Sequence, residues 1–332
     1  MARVQLEDIF QAELWTSDMF LEAPLLKNIL NSGLLVESQE IKKIINATGF
    51  GSRFEMPYVE EPNFEEPTPM DESDNYAPTT KISWANQFAV ISMINKNYEF
   101  NHLANTLNRD SDPAKVFRDE VIGRFWATDM QNRIIHTVRG LVAKASADLV
   151  LDVADDSSDG DDVTLEPSII IDGVAKQGDN QDKFGFMFMH SKVYSDLKKQ
   201  KLIDSILPND GSLQKIEMYG GYRIIVNDAM PVEQGENKKK YTTLIAQNGL
   251  IAYGDKDLGK DMPVVELVRN ALIGNGAGRT TIATRRGLCL HPIGWSYNKS
   301  TMSPKYADLA NKDNWTMKFK PKQQKFVAII TN

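Results

Sequence analysis

Between Gly49 and Asn97 the chain carries two strand patterns separated by a stretch that no hydrophobic core can absorb. Gly49 and Gly51 break the chain, and Arg53–Val59 reads as the first strand. The second pattern, Thr80–Ile94, alternates with period two: Ile82, Trp84, Phe88, Val90 and Ile94 fall on one side, with Asn86 and Ser92 interrupting. The connection, EEPNFEEPTPMDESDNYAP (Glu60–Pro78), holds four prolines and seven carboxylates and few large apolar groups. Such a composition leaves too little apolar surface to offset chain entropy. A long hairpin with an acidic, proline-marked tip is therefore expected. An isolated two-stranded hairpin is at best marginally stable in water. A chain that keeps one lays it against another surface, a neighbouring subunit included.

The clearest helix signal follows, over Asp112–Asp148. Asp112 suits the N-cap and Pro113 the first turn, where a missing N–H costs nothing. Phe117, Val121, Phe125, Ile134, Val138 and Val142 recur at helical spacing, widened by Trp126, Met130, Ile135 and Leu141. Arg118, Asp119, Arg124, Asp129, Arg133 and Arg139 are expected on the polar face. At ~1.5 Å per residue this helix would reach roughly 50 Å, long enough to act as a spine.

Around these two features the chain of 332 residues has room for two or three compact units. Its charge of −7 argues against wrapping nucleic acid by bulk electrostatics. The single cysteine, Cys289, lies in an apolar run; it excludes an internal disulfide and a cysteine-rich metal site and is expected to be buried. No apolar run is long enough to cross a bilayer, and the N-terminus has no signal-peptide core, so synthesis and use in the cytoplasm are expected. Residues 1–48 hold short amphipathic segments (Val4–Leu14, Pro24–Leu30, Glu37–Ile45) that read as an arm without its own core. Residues 98–111 read as a short helix around Phe100, Leu103 and Leu107. Residues 165–260 alternate strand and helix signals: a brief strand at Ile169–Ile171, strands at Phe184–Met189, Tyr222–Val226, Tyr241–Ala246 and Gly249–Tyr253, and a helix at His190–Leu202 with Ser191 as its cap. Connections this short favour antiparallel pairing. Val264–Val268 and Thr280–Leu290 form a further hairpin around the glycine-rich ALIGNGAGRT. Lys305–Asn311 reads as a helix and Phe326–Ile330 as a last strand.

Several ordered blocks carry a family resemblance. MHSKVYSDLKKQKLIDSILPNDG (Met189–Gly211), GGYRIIVNDAMPV (Gly220–Val232), YTTLIAQNGLIAYG (Tyr241–Gly254) and VELVRNALIGNGAGRTTIATRRGLCLHPIGWSY (Val265–Tyr297) resemble consecutive blocks of a tailed-bacteriophage major capsid protein family of the Hong Kong 97 fold. They cover most of residues 185–297, and a looser match reaches through the long helix and the first hairpin. The resemblance implies an α+β fold. Its parts would be an N-terminal arm (1–48), an extended E-loop hairpin (49–97), a P-domain with the spine helix (98–164), an α/β A-domain (165–260), a P-domain return hairpin (261–298) and a C-terminal segment (299–332). It implies a protein that forms pentamers and hexamers of an icosahedral shell around double-stranded DNA, without sequence specificity. Scaffold, portal and decoration proteins would be its further partners, the virion its location and the bacterial host's cytoplasm its place of assembly. A nanocompartment shell of the same fold, or an α/β enzyme with an unrecognised site, are the competing readings. Some relatives weld their shells with a Lys–Asn bond from an E-loop lysine; here Glu60–Thr80 holds no lysine, and Lys81 and Lys96 lie on or beyond the return strand.

The motifs themselves point to contact more than to catalysis. GNGAGRT (Gly274–Thr280) lacks the Walker spacing and the dinucleotide spacing and leads into a strand, so Gly274, Gly276 and Gly278 read as a hairpin tip. The resemblance makes that tip a contact near local three-fold axes. Asp155, Ser157, Asp159 and Glu166 fall at calcium-loop positions one, three, five and twelve, with Gly160 at six. Pro167 is expected to block an exiting helix, and Asp162 occupies a usually apolar position, so a solvated acidic loop is the preferred reading. His102, His136, His190 and His291 show no metal spacing, and no Gly-x-Ser-x-Gly elbow is present. No cofactor is expected. Arg285 and Arg286 could hold DNA inside a shell or pair with a neighbour's carboxylates. Glu60, Glu61, Glu65 and Glu66 on the acidic tip are the other contact candidates, with Arg118, Arg124, Arg133, Arg139, Arg285 or Arg286 of a neighbour as partners.

Overall fold

Two sheets share one buried helix. The computed structural model describes residues 33–47, 52–60, 66, 70, 79, 81–102, 122–158, 160, 162–201, 203–206, 216–259 and 261–332. The first sheet runs β1 (Leu35–Glu37), β11 (Ile251–Lys256), β13 (Arg279–Pro292), β3 (Trp84–Asn101), β2 (Arg53–Val59), with β12 (Val265–Asn270) also paired to β13. The second runs β4 (Val150–Asp152), β16 (Phe326–Thr331), β10 (Lys239–Gln247), β5 (Phe184–Met189), β8 (Tyr222–Val226), β7 (Ile216–Tyr219), β6 (Asp204–Ile206), with β9 (Val232–Gln234) beside β10. A short pair joins β14 (Trp295–Tyr297) to β15 (Trp315–Met317). Among the described pairs only β1–β11, β4–β16 and β5–β8 are parallel. The chain is thus α+β with mostly antiparallel pairing, as the short connections require. The second sheet is built around the apolar runs Phe184–Met189 and Phe326–Thr331, whose uninterrupted hydrophobicity suits strands covered on both faces.

The helices, in chain order, are α1 (Gln39–Ala47), α2 (Gly123–Lys144), α3 (Pro167–Ala175), α4 (Ser191–Lys199) and α5 (Tyr306–Ala310). Helix α2 is the described part of the spine; its expected start at Asp112 and Pro113 lies outside the described residues. It ends at Lys144, where the Ala145 N–H donates to the Leu141 and Val142 carbonyls, short of the expected Asp148. Met130, Ile134, Val138 and Leu141 enter a core that also holds Val90 and Leu288 of the first sheet and Phe188, Leu244, Phe326 and Ala328 of the second. The helix is therefore covered nearly all round, not on one face. Asp129 and Arg133, expected at the surface, are buried. Gly140 marks the tightest contact. A Cβ there would lie 2.2 Å from the Leu309 carbonyl oxygen and 2.8 Å from Trp315 Nε1.

Four local expectations are corrected. Ile169–Ile171 is not a strand but the middle of α3, which Pro167 opens from an extended Glu166; proline suits this first turn instead of blocking the helix. His190, not Ser191, caps α4, its Nδ1 accepting from the Lys192 N–H at 3.1 Å. Tyr98–Asn101 continue β3 against β13 and do not begin a helix. Within β3, Ala89, Val90, Ile91 and Ser92 are all buried, so alternation fails where both faces are covered, while Ile82 and Trp84 are 63% and 70% exposed. The segments Val4–Leu14 and Pro24–Leu30 lie outside the described residues.

Candidate subunit-contact surfaces

Strand β3 belongs to two structures in succession. Residues Ile91–Asn101 pair with β13, and residues Trp84–Val90 pair with β2. The hairpin thus grows out of the first sheet along one continuous strand. Its root is pinned. The Phe88 N–H donates to Ser296 Oγ at 3.0 Å, the Met93 N–H to Ser303 Oγ at 2.9 Å, and Ser52 Oγ to the Thr301 carbonyl at 3.0 Å. The Arg53 guanidinium sits 3.7 Å over the Phe88 ring. Burial then fades outward. Phe54 and Ala89 are buried, whereas Val59 and Trp84, which face each other in register, are exposed. The Glu60 N–H still reaches the Ser83 carbonyl at 2.9 Å, so the ladder carries the chain outward at that point. Glu60 and Glu66 are exposed; Glu61 and Glu65 lie outside the described residues.

A second projection is the β12–β13 tip. Gly274, Asn275, Gly276 and Gly278 all have positive φ, which an ordinary side chain resists. The turn presents Leu272 at 87% exposure and Ile273 beside it. Gly278 also has no room for a side chain, since a Cβ would lie 2.7 Å from His102 Nδ1.

The arginines singled out from sequence are largely engaged within the chain. Arg285 Nη2 meets Glu266 Oε2 at 2.7 Å and its Nη1 donates to the Pro263 carbonyl. Arg286 is buried; its Nε and Nη2 both donate to Asp255 Oδ1. Arg133 Nε meets Asp129 Oδ2 at 2.9 Å, and its Nη1 donates to Ser92 Oγ and the Pro304 carbonyl. Arg139 lies on the surface, 3.8 Å from Glu233 Oε1, and Arg124 is exposed. Arg118 lies outside the described residues.

In the acidic loop, Asp155 accepts from the Ser157 N–H and hydroxyl, which hold its carboxyl below the usual range. Asp156 accepts from the Asn237, Glu236 and Lys238 N–H groups, with the same effect. Lys238 Nζ reaches Asp162 and the Gly160 carbonyl, and Glu166 sits at the start of α3. The loop is thus tied to the β9–β10 turn. Among the described residues no group of three or more His, Cys, Asp or Glu could hold a metal ion; Asp159 lies outside them. Cys289 is buried, and its thiol pKa is pushed up by desolvation. His291 is also buried, Nε2 lying 3.3 Å from Gln87 Oε1.

The structure reveals a basic ledge that the sequence reading passed over. Lys318 and Lys320 flank Phe319 after β15, and Lys322 follows in a short 3-10 turn. All three lysines are exposed, and among the described residues neither Lys318 nor Lys322 has an acidic partner. The Phe319 ring packs edge-on to Tyr58 of β2 with centroids 5.1 Å apart. The signal was present as alternating K-F-K-P-K, but charge alternation alone does not identify a groove.

A family model described as Gp13-like, major capsid protein 13-like, matches residues 97–326. The major capsid protein of Bacillus phage SPP1 is 26% identical over 331 residues, covering 98% of each chain. Among solved structures, the capsid of Ralstonia phage GP4 superposes with a TM-score of 0.59 at 8% identity, over 91% of this chain and 90% of that one. The capsid of cyanophage P-SCSP1u does so with a TM-score of 0.52 at 11% identity, over 80% and 85%. The fold is the Hong Kong 97-like fold of tailed-phage capsids, and no helix among the described residues is long and apolar enough to cross a membrane. The family match takes in the buried helix, the strands from β4 to β15 and the β12–β13 projection, more than half of the chain, and on that ground the chain belongs to the Gp13-like family of phage major capsid proteins.

Proposed function

We propose that copies of this chain assemble as pentamers and hexamers into a closed icosahedral shell that encloses double-stranded phage DNA. The family match over residues 97–326 is the observation that carries this reading. Two projections that expose Trp84 and Leu272 support it, because apolar tips of this kind are stabilised by being covered. In this reading residues 49–97 are the E-loop lying over a neighbour, and residues 98–164 and 261–298 form the P-domain. Residues 165–260 form the A-domain, to whose sheet β16 adds a strand. Residues 1–48 are the arm and 299–332 the C-terminal segment. Glu60, Glu61, Glu65, Glu66, Gly274, Gly276 and Gly278 are the contact residues, and the engaged Arg285 and Arg286 stiffen the sheet behind them. The role is structural, not catalytic. Scaffold, portal and decoration proteins are the further partners. Assembly takes place in the cytoplasm of the bacterial host, and the product resides in the virion. The net charge of −7 suits a wall that contains DNA without gripping it.

The purified protein, expressed alone or with a scaffold, is expected to sediment as rings, shells or tubes and to show them in negative stain. A compact monomer with residues 1–97 protected from protease would contradict the proposal.

A further inference from the structure

We infer that the ledge Lys318–Phe319–Lys320–Lys322, with Tyr58, is the docking groove for the acidic proline-rich strap Glu60–Pro78 of a second copy of this chain. The inference rests on the shell reading above. The groove, of about 560 Å³, is lined by Tyr58, Val59, Glu60, Lys318, Phe319, Lys320 and Gln323. Its floor is fixed. The Lys318 and Phe319 N–H groups both donate to the Gly294 carbonyl, at 2.8 and 3.2 Å, and Phe319 packs on Gly294, where φ is +85°. Gln324 Nε2 holds the Phe319 carbonyl at 3.0 Å. The groove therefore offers two crossed aromatic rings with ammonium groups along the lip.

The strap has the complementary chemistry. Pro62, Pro67 and Pro69 favour an extended polyproline conformation, Phe64 and Met70 supply apolar side chains, and Glu61, Glu65, Glu66, Asp71 and Glu72 lie between them. Aromatic-lined grooves take such segments at low entropic cost. Of the arginine candidates, Arg133, Arg285 and Arg286 already hold carboxylates of their own chain. The Glu60 N–H still donates to the Ser83 carbonyl, so at Glu60 the chain runs in the hairpin ladder; same-isotope links in the test below would mark a strap from the same copy.

The test uses assembled wild-type particles made from a mixture of light and heavy-isotope chains. Zero-length carbodiimide coupling joins only lysines and carboxylates in contact. Mixed light–heavy peptides linking Lys318, Lys320 or Lys322 to Glu61, Glu65, Glu66 or Asp71 are expected. Shells in which these lysines link only to strap residues of the same isotope, or to no strap residue, overturn the inference and leave the shell reading standing. Failure to form any particle overturns the shell reading instead. As a second arm, Lys318→Glu with Lys320→Glu and Lys322→Glu is expected to abolish closed particles, and mixing with Glu61→Lys, Glu65→Lys, Glu66→Lys chains to restore them. Normal particles from the ledge variant that retain less nucleic acid would assign the ledge to DNA and overturn the strap assignment.

Discussion

Arg133 shows why residue type alone misplaces a side chain. On a helical wheel it reads as solvated surface. In the structure it and Asp129 are each 8% exposed, and the Tyr306 hydroxyl donates to Asp129 Oδ1 at 2.6 Å from 177 positions away. Burial and the Asp129 carboxylate push the Tyr306 phenol up to about 12. No spacing rule reveals so distant a partner. Removing one member of a buried pair strands the other charge, at a cost of about 3–5 kcal/mol. Asp129→Ala is therefore expected to lower the urea midpoint sharply, and Tyr306→Phe to cost only about 1 kcal/mol. His291 gives a pH dependence. Desolvation lowers its pKa to about 3, whereas an unfolded imidazole titrates near ~6.5. Between these values the unfolded chain binds a proton that the folded chain does not. Stability then falls as pH drops from ~6.5 toward ~3, with a limiting slope of about 1.4 kcal/mol per pH unit. His136, lowered by burial and by Arg139, acts in the same direction. Asp155, Asp156, Asp196, Asp228 and Asp308 are held below the usual carboxylate range and add their loss only at more acid pH. His291→Gln is expected to flatten the stability profile between pH 6 and 4.5 in denaturant titrations, and an unchanged slope would contradict this assignment.

At the scale of elements, legibility followed burial on two faces or one. Strands β2, β5 and β8 occupy the spans their patterns predict, because each is a short run bounded by breakers. Helix α3 was missed because Ile169, Ile170 and Ile171 carry β propensity, and only packing of Ile170 and Val174 under β16 decides for a helix. The continuation of β3 to Asn101 was hidden by the helical spacing of Phe100, Leu103 and Leu107; at Tyr98–Asn101 the ladder to β13 overrides it. Position 140 tests how closely α2 is held. Gly140→Ala puts a methyl group against backbone at α5 and is expected to cost about 1–3 kcal/mol, with a shift in the emission of Trp315, whose Nε1 donates to Leu309 O at 2.7 Å. The hairpin is expected to behave in the opposite way. Trp84→Ser with Ile82→Ser removes side chains that face solvent in the single chain, so its melting should be unchanged. Covering Trp84 stabilises a contact by a few kcal/mol at ~25 cal/mol per Å², so the variant should fail to form stable particles.

On the whole-molecule scale, the family and the α+β class were legible in the ordered sequence blocks, and the assembly of the strands into sheets was not. The segment Gly249–Tyr253 read as part of the central α/β unit, but β11 pairs with β13 and β1 in the first sheet. The last strand crosses back to lie between β10 and β4. Both are non-local pairings, which local pattern cannot reveal. This layout leaves Val59 and Trp84, at the outer end of the described hairpin, facing solvent. Covalent welding is not expected: Glu60–Thr80 holds no lysine, Lys81 is exposed at the outer end of the ladder beyond Ser83, and Lys96 lies over Phe125 at 5.3 Å. Boiled particles are expected to run as one single-chain band, and a reductant-resistant ladder would contradict that. The most direct measurement of the central claim is electron cryo-microscopy of purified particles at a resolution that traces β2 and β3. The hairpin is expected to lie across an adjacent subunit, with Trp84 and Val59 covered there. A closed or open particle in which the hairpin folds onto its own subunit, with both side chains still facing solvent, would contradict the claim.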